Sequence, residues 1–291
     1  TAFIGAILSL IPFGQPLIIK TGVVLSTTGF LLSVSEKVYA RDNSYYFNSA
    51  YDKANRGDHY GAISDYTKAI GIDPNDVDAY INRGISKRKL KDYYGAISDY
   101  TKAIEINPND PDAYYNRGYA KDELKDYYGA ISDYTKAIEI EPNDAKAYFN
   151  RGYAKDELED YDGAISDYTK AIEINPNYEK AYYNRGIAKR KSKDYYGAIS
   201  DYKKSIEINP QKVEAYNNIS YIKRLKEIND NYGSIFYASK AIEIDQNYSN
   251  AYLNRGAAKE NIGDIAGACV DWRKASSLGN ESAAKWVRNQ C

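Results

Sequence analysis

Residues 112–144, DAYYNRGYAKDELKDYYGAISDYTKAIEIEPND, are the stretch whose reading decides the fold. The phrase GAISDYTKAI inside them begins at Gly95, Gly129 and Gly163, and a variant, GAISDYKKSI, begins at Gly197. Each start lies 34 residues after the last, and weaker copies begin at Gly61 and Gly267. A fixed period of this size belongs to stacked repeats, in which one unit buries too little apolar surface to stand alone and its neighbours supply the rest.

One unit reads as two helices. Tyr114, Gly118 and Lys121 share a face of the first, and Ala130, Tyr134 and Ala137 share a face of the second. Lys125-Asp126-Tyr127 breaks the pattern between them, and Asp126 suits the N-cap of the second helix. Pro142 ends that helix, and Asn143 or Asp144 can cap the next. Gly118 and Ala130 are small where two antiparallel helices must approach closely.

Tyr114, Gly118, Ala130, Tyr134, Ala137 and Pro142, at this spacing and period, resemble the tetratricopeptide repeat. Arg117 stands where that family usually has Leu, and Lys121 where it usually has Tyr. The resemblance implies an all-α, right-handed superhelical solenoid of antiparallel helix pairs. In this register seven repeats occupy residues 43–282, starting near 43, 77, 111, 145, 179, 213 and 249, and a C-terminal capping helix follows at 281–291. The sixth repeat is irregular. Ser220 replaces Gly, Ser234 replaces Ala, Ala238 replaces the aromatic, Gln246 replaces Pro, and the turn at 227–232 is two residues longer.

A charged fraction of 27% with net charge −1 gives no basic surplus for nucleic acid. There is one histidine, no glycine-rich phosphate loop and no metal-ligand spacing. No catalytic residue, metal, cofactor or small-molecule substrate is therefore expected. His59 takes the loop position held by Tyr93 and Tyr127 in later copies, and reads as a packing substitute.

Residues 1–40 differ in kind: from Ala2 to Ser35 the only charged side chain is Lys20. Pro12, Gly14 and Pro16 interrupt the first half, and Gly22 to Ser35 falls short of the roughly 20 residues that cross a bilayer. Val38-Tyr39-Ala40 puts small residues at the −3 and −1 positions of a signal-peptidase site. Three readings stand open: an export signal, a retained membrane anchor, or helices packed on the solenoid. At the other end, Cys269 and Cys291 lie about equally far from the turn at Gly279 along two antiparallel helices, so they can meet in a disulfide. Such a bond would agree with export to a periplasm or lumen. The alternative is that Cys269 is a small buried residue where other repeats have Ile.

In this family the first helices line the concave face. By angular position that face takes the second, fifth, sixth, ninth, twelfth and thirteenth residues of each repeat. The sixth is Asn throughout: Asn48, Asn82, Asn116, Asn150, Asn184, Asn218 and Asn254. The row resembles the asparagine ladder by which some superhelical tetratricopeptide proteins hold an extended peptide backbone. A solvated row is the other reading; a ladder requires side chains that point into the concavity without partners in the protein. Beside it stand Tyr115 and Tyr183 at the fifth position and Tyr119 and Tyr153 at the ninth; Phe149 is expected to pack against neighbouring helices. Charge changes sign along the face, from Arg88-Lys89 through Asp122-Glu123 and Asp156-Glu157 to Arg190-Lys191 and Arg224. A segment with a basic stretch flanked by acidic ones would fit. A second row, Arg83, Arg117, Arg151, Arg185 and Arg255 with Asp99, Asp133, Asp167, Asp201 and Asp271, reads as ion pairs between helices; the sixth repeat has Ile219 and Tyr237 instead.

The resemblance and these features together lead to the expectation of a non-catalytic scaffold that binds an extended protein segment, held at or beyond a membrane by residues 1–40. The alternative is an assembly factor or subunit of a membrane protein complex; the repeat spelling resembles bacterial and cyanobacterial tandem repeats, photosynthetic assembly factors among them.

Overall fold

The computed structural model describes residues 43–291. The hydrophobic segment 1–40, with its cleavage-site and membrane readings, lies outside the described residues. Within them every regular element is helical, and no helix is long and apolar enough to cross a membrane.

The helices pair as hairpins. They are α1 (43–55) with α2 (His59–Ile72), α3 (Val77–Lys89) with α4 (Tyr93–Ile106), and α5 (Pro111–Glu123) with α6 (Tyr127–Ile140). Then come α7 (Ala145–Glu157) with α8 (Tyr161–Ile174), α9 (Glu179–Lys191) with α10 (Tyr195–Ile208), α11 (Val213–Arg224) with α12 (Asn231–Ile244), and α13 (Ser249–Asn261) with α14 (Ile265–Ser277). A single helix, α15 (Glu281–Gln290), closes the end. The local chemistry sets these bounds. Asp126 accepts a hydrogen bond from the Gly129 N–H at 3.0 Å and so caps α6; Asp144 does the same for α7 through the Lys146 N–H at 2.7 Å. Lys125, between the hairpin's two helices, sits at φ 62°, in the left-handed region where Gly57 and Gly263 occupy the same slot of the first and last repeats.

The first five hairpins each close on a buried tyrosine: Tyr66, Tyr100, Tyr134, Tyr168 and Tyr202. Tyr134 is fully buried against Gly118, where a Cβ would come within 3.1 Å of its ring. In the sixth repeat the two small positions are Ser220 and Ser234, whose buried hydroxyls hydrogen-bond each other at 3.0 Å. The substitution is therefore matched: each polar group that replaces Gly or Ala meets the other.

Successive repeats are joined by charge. The Arg117 guanidinium grips Asp133 with two bonds, 2.9 and 2.7 Å, and reaches back to the Thr101 hydroxyl of the preceding repeat at 3.2 Å. Lys121 adds a second cation to Asp133 at 2.7 Å, so the residue that departs from the family pattern completes a triad. The arrangement recurs around Asp99, Asp167, Asp201 and Asp271. It is missing where the fifth repeat meets the sixth, because Lys203 stands in place of the threonine, Ile219 in place of the arginine and Tyr237 in place of the aspartate. Ile219 and Ile222 pack there with Tyr202 and Tyr237.

First helices also touch the first helix of the next repeat, as α3 does α5, α5 does α7 and α7 does α9. No pair of second helices among the described residues approaches to the same extent. The stack is thus tighter on the first-helix side, and that side is the concave one.

Candidate functional site

Helix periodicity puts the sixth-position asparagines on one face, but their surroundings differ from repeat to repeat. Asn150 donates to the Tyr115 hydroxyl at 2.9 Å and Asn218 to the Tyr183 hydroxyl at 3.2 Å, each 35 residues back. The bond forms only where the preceding repeat offers a tyrosine at its fifth position. Phe47 and Ile81 offer no hydroxyl, and there Asn82 and Asn116 turn to the backbone carbonyls of Asp78 and Asp112, at 2.8 and 2.9 Å. Asn48 approaches the Ser44 hydroxyl at 3.4 Å. Asn184 is preceded by Phe149, which offers no hydroxyl at the fifth position. Asn254 is buried and donates to the Asn217 carboxamide at 2.9 Å, which removes it from the concave surface. The condition set for a ladder, side chains without partners in the protein, is thus not met by most of the row. Most members engage a neighbour through the amide nitrogen, because a half-buried donor must find an acceptor.

The fifth-position aromatics pack on the closing tyrosines. Tyr115 lies 5.8 Å from Tyr134, Tyr183 lies 5.7 Å from Tyr202, and Phe149 sits between Tyr168 (5.6 Å) and Tyr178 (5.0 Å). Burial pushes the Tyr183 phenol up to about 12. These rings form the floor of the groove.

Between the third and fourth repeats the floor opens into a cavity of about 420 Å³. It is lined by Tyr119, Asp122, Glu123, Lys125, Tyr127, Phe149, Asn150, Tyr153, Lys180 and Asn184. Four aromatic rings, two carboxylates and two lysines meet there, and neither lysine is paired with Asp122. Asp122 is the singular member. One of its carboxylate oxygens is buried without a hydrogen-bond partner. Burial first, then the charges of Glu123 and Glu157, push its carboxyl up to about 6. The same burial, with Glu157 and Asp122 adding to it, pushes Tyr153 up to about 12.

Asp156, the matching residue one repeat on, behaves differently. It is 7% exposed and pairs with Lys191 of the fifth repeat at 3.1 Å. At the corresponding position Asp122 faces Glu157, another acid. Asp156 is therefore corrected from a groove charge to an internal ion pair, and the acidic character belongs to Asp122, Glu123 and Glu157. Glu123 and Glu157 accept hydrogen bonds from Tyr93 and Tyr127 of the preceding repeats, at 3.1 and 3.2 Å. Tyr127 was not among the sequence candidates. An aromatic at the start of one second helix and Glu at the end of the next first helix, 30 residues apart, is the signal that would have found it.

At the C-terminal end Cys269 and Cys291 are joined in a disulfide, with Cα atoms 5.6 Å apart. Among the described residues no group of three or more His, Cys, Asp or Glu side chains is placed to hold a metal ion.

Residues 111–144, 145–178 and 179–212 match the tetratricopeptide repeat family, and 86–122 match the related TPR repeat family. No curated protein matches the sequence. Among solved structures, MamA is 27% identical with a TM-score of 0.55, covering 60% of this chain and 96% of MamA. The C-terminal part of a TPR repeat-containing protein from Cytophaga hutchinsonii has a TM-score of 0.71 at 19% identity, over 82% of this chain and 98% of its own. YrrB, described as a TPR protein with an unusual peptide-binding site, has a TM-score of 0.57 at 24% identity, over 64% of this chain and 95% of its own.

Proposed function

We propose that this chain, a tetratricopeptide-repeat protein by its family matches over residues 86–212 and by its fold, is a protein-interaction scaffold whose concave face holds an extended protein segment and takes a basic side chain of that segment into the cavity between the third and fourth repeats. The observation that carries this is Asp122: a carboxylate in an aromatic-walled cavity, half desolvated, with like charges beside it and no cation paired to it. An incoming lysine or arginine would supply the missing counter-charge, and Tyr119, Tyr127 and Tyr153 would face its stem or its cation. Asn184 and the free carbonyl oxygens of Asn116 and Asn150 remain for its backbone.

Selection of random peptides on the full chain tests this. Peptides enriched in Lys or Arg, whose affinity falls at least tenfold in the Asp122→Asn, Glu123→Gln variant, are the expected result. Selected peptides without basic enrichment, or unchanged affinity in that variant, would overturn it.

A second reading, docking on the folded subunits of a membrane complex, is favoured by a different surface. Tyr60, Tyr94, Tyr128, Tyr196 and Tyr232, one at the start of each of five second helices, are each about three-quarters exposed. Such a row of rigid rings suits a folded surface better than a peptide. Both readings put the protein beyond or at a membrane, on the hydrophobic run of residues 1–40 and on a disulfide that suits an oxidising compartment. Sequencing the N-terminus of the mature protein separates export from anchoring: a start at Arg41 means export, and retention of residues 1–40 means an anchor.

A further inference from the structure

We infer that the irregular sixth repeat carries a second binding pocket, selective for the carboxylate of an acidic protein segment. Five arginines of the first helices, Arg83, Arg117, Arg151, Arg185 and Arg255, are each bound to an aspartate. Arg88, over the Tyr119 ring, is not, and neither are Arg190 and Arg224. The latter two are the twelfth residues of the fifth and sixth repeats, and their guanidinium carbons lie 5.9 and 5.7 Å from the centroid of the same ring, Tyr221. The Nε of each is buried without a hydrogen-bond acceptor. Two like charges are thus held around one aromatic side chain with no ion pair to either.

The cavity beside Arg224 exists because the sixth repeat departs from the others. Elsewhere, as after α5, a first helix ends in a compact three-residue turn; α11 stops one residue early at Arg224 and Leu225 turns out at φ −57°, ψ 147°. The connection then runs from residue 225 to 230 before α12 begins. This longer turn opens a cavity of about 460 Å³ lined by Arg224, Leu225, Lys226, Asn229 and Asn261. The lining holds two cations and two carboxamides and no acid.

The turn is built rather than loose. Lys223 pairs with Asp230, which also caps α12 through the Gly233 N–H at 2.8 Å. Asn261 donates to Asn231 at 2.9 Å, and Asn231 donates to Asn229 at 3.1 Å, so the Asn229 carbonyl is engaged and its amide nitrogen is left as a donor. Glu260 acts on Arg224 through space without a direct ion pair, and burial still holds the guanidinium below its ordinary value. A planar carboxylate fits this set: it can take the Arg224 fork, with Lys226 and the Asn229 amide completing its hydrogen bonds. The pocket shares no residue with the Asp122 cavity, so the inference does not depend on that reading.

Nuclear magnetic resonance of the full chain, with arginine Nε–H groups labelled, provides the test. Three probes separate the sources of a carboxylate: acetyl-Gly-Glu-Gly-Glu-Gly-amide, acetyl-Gly-Gln-Gly-Gln-Gly with a free C-terminus, and the same glutamine peptide amidated. The Arg190 and Arg224 resonances should move with the first or the second probe and stay still with the third. Movement with the first assigns an acidic side chain, and movement with the second a chain terminus. Arg224→Gln should weaken the binding at least tenfold, whereas Arg88→Gln and Asp122→Asn should leave it unchanged. The inference is overturned if neither carboxylate peptide moves these resonances, or if the amidated peptide or inorganic sulfate moves them equally. Because the resonances are read in the unaltered chain, the result stands even if a variant folds poorly.

Discussion

Asp122 carries its charge in surroundings that oppose it, and this makes it the most testable residue of the groove. Its carboxyl is raised to about 6, from an ordinary 3.8, mainly by burial. A raised acid favours the folded state only while protonated. Its contribution is complete below about pH 4 and is lost as pH rises through 6. Asp122→Asn should therefore be nearly neutral at pH 4 and should stabilise by about 1–2 kcal/mol at pH 7, after allowance for its partial exposure. Urea unfolding at the two pH values checks this, and an equal effect at both would show that the site does not disfavour the charge. Lys125 gives a second test at this scale. At φ 62° a lysine is strained where glycine is not. Lys125→Gly should raise stability by about 1 kcal/mol, and Gly57→Lys should lower it similarly, measured by thermal unfolding. Asp126 was legible as a cap from its place before a helical run; the strain at Lys125 was not, because only Gly57 and Gly263 in the same slot hint at it.

At the scale of the helix pair, the Arg–Asp contact was readable because both residues recur in step with the period. Lys121 was not, because against the family pattern it looked like a departure rather than a ligand of Asp133. Thr101 was hidden for another reason: its contact crosses from one repeat to the next, and no local pattern marks it. The asparagine row shows the same limit. Whether Asn150 is free depends on what residue 115 is, and helix periodicity within one repeat cannot report that. The triad has an asymmetric consequence. Asp133→Asn strands two cations, Arg117 and Lys121, and should cost about 3 kcal/mol. Arg117→Met leaves Asp133 with Lys121 and should cost only about 1–2 kcal/mol. The double variant should lose less than the sum, because with Arg117 gone only Lys121 is left without its carboxylate. Denaturant unfolding of the four proteins decides it, and strict additivity would mean the pair does not interact.

At the scale of the whole molecule, the last described hairpin, α13 with α14, is followed not by another hairpin but by the single helix α15. There α15 lays Ala283, Trp286 and Val287 over Trp272, which is fully buried; the two indole rings meet at 4.8 Å. Trp272 takes the place of the closing tyrosine, so the last hairpin and its cover are built around a single aromatic pair. The disulfide ties the far end of α15 back to α14 across 22 residues. Closing a loop of that length in the unfolded chain is worth about 3 kcal/mol. In a stack where each repeat rests mainly on its neighbours, that stabilisation acts at the end and not uniformly. The chain has only two tryptophans, and both lie here, so their fluorescence reports on the end alone. Cys291→Ser, or reduction, should therefore release α15 at a lower denaturant concentration than the helical signal of the repeats, with tryptophan emission moving to longer wavelength first. In the disulfide-bonded protein the two transitions should lie closer together. If the tryptophan and helix signals still coincide after reduction, the bond does not hold the end closed, and the packing of Trp286 on Trp272 suffices by itself.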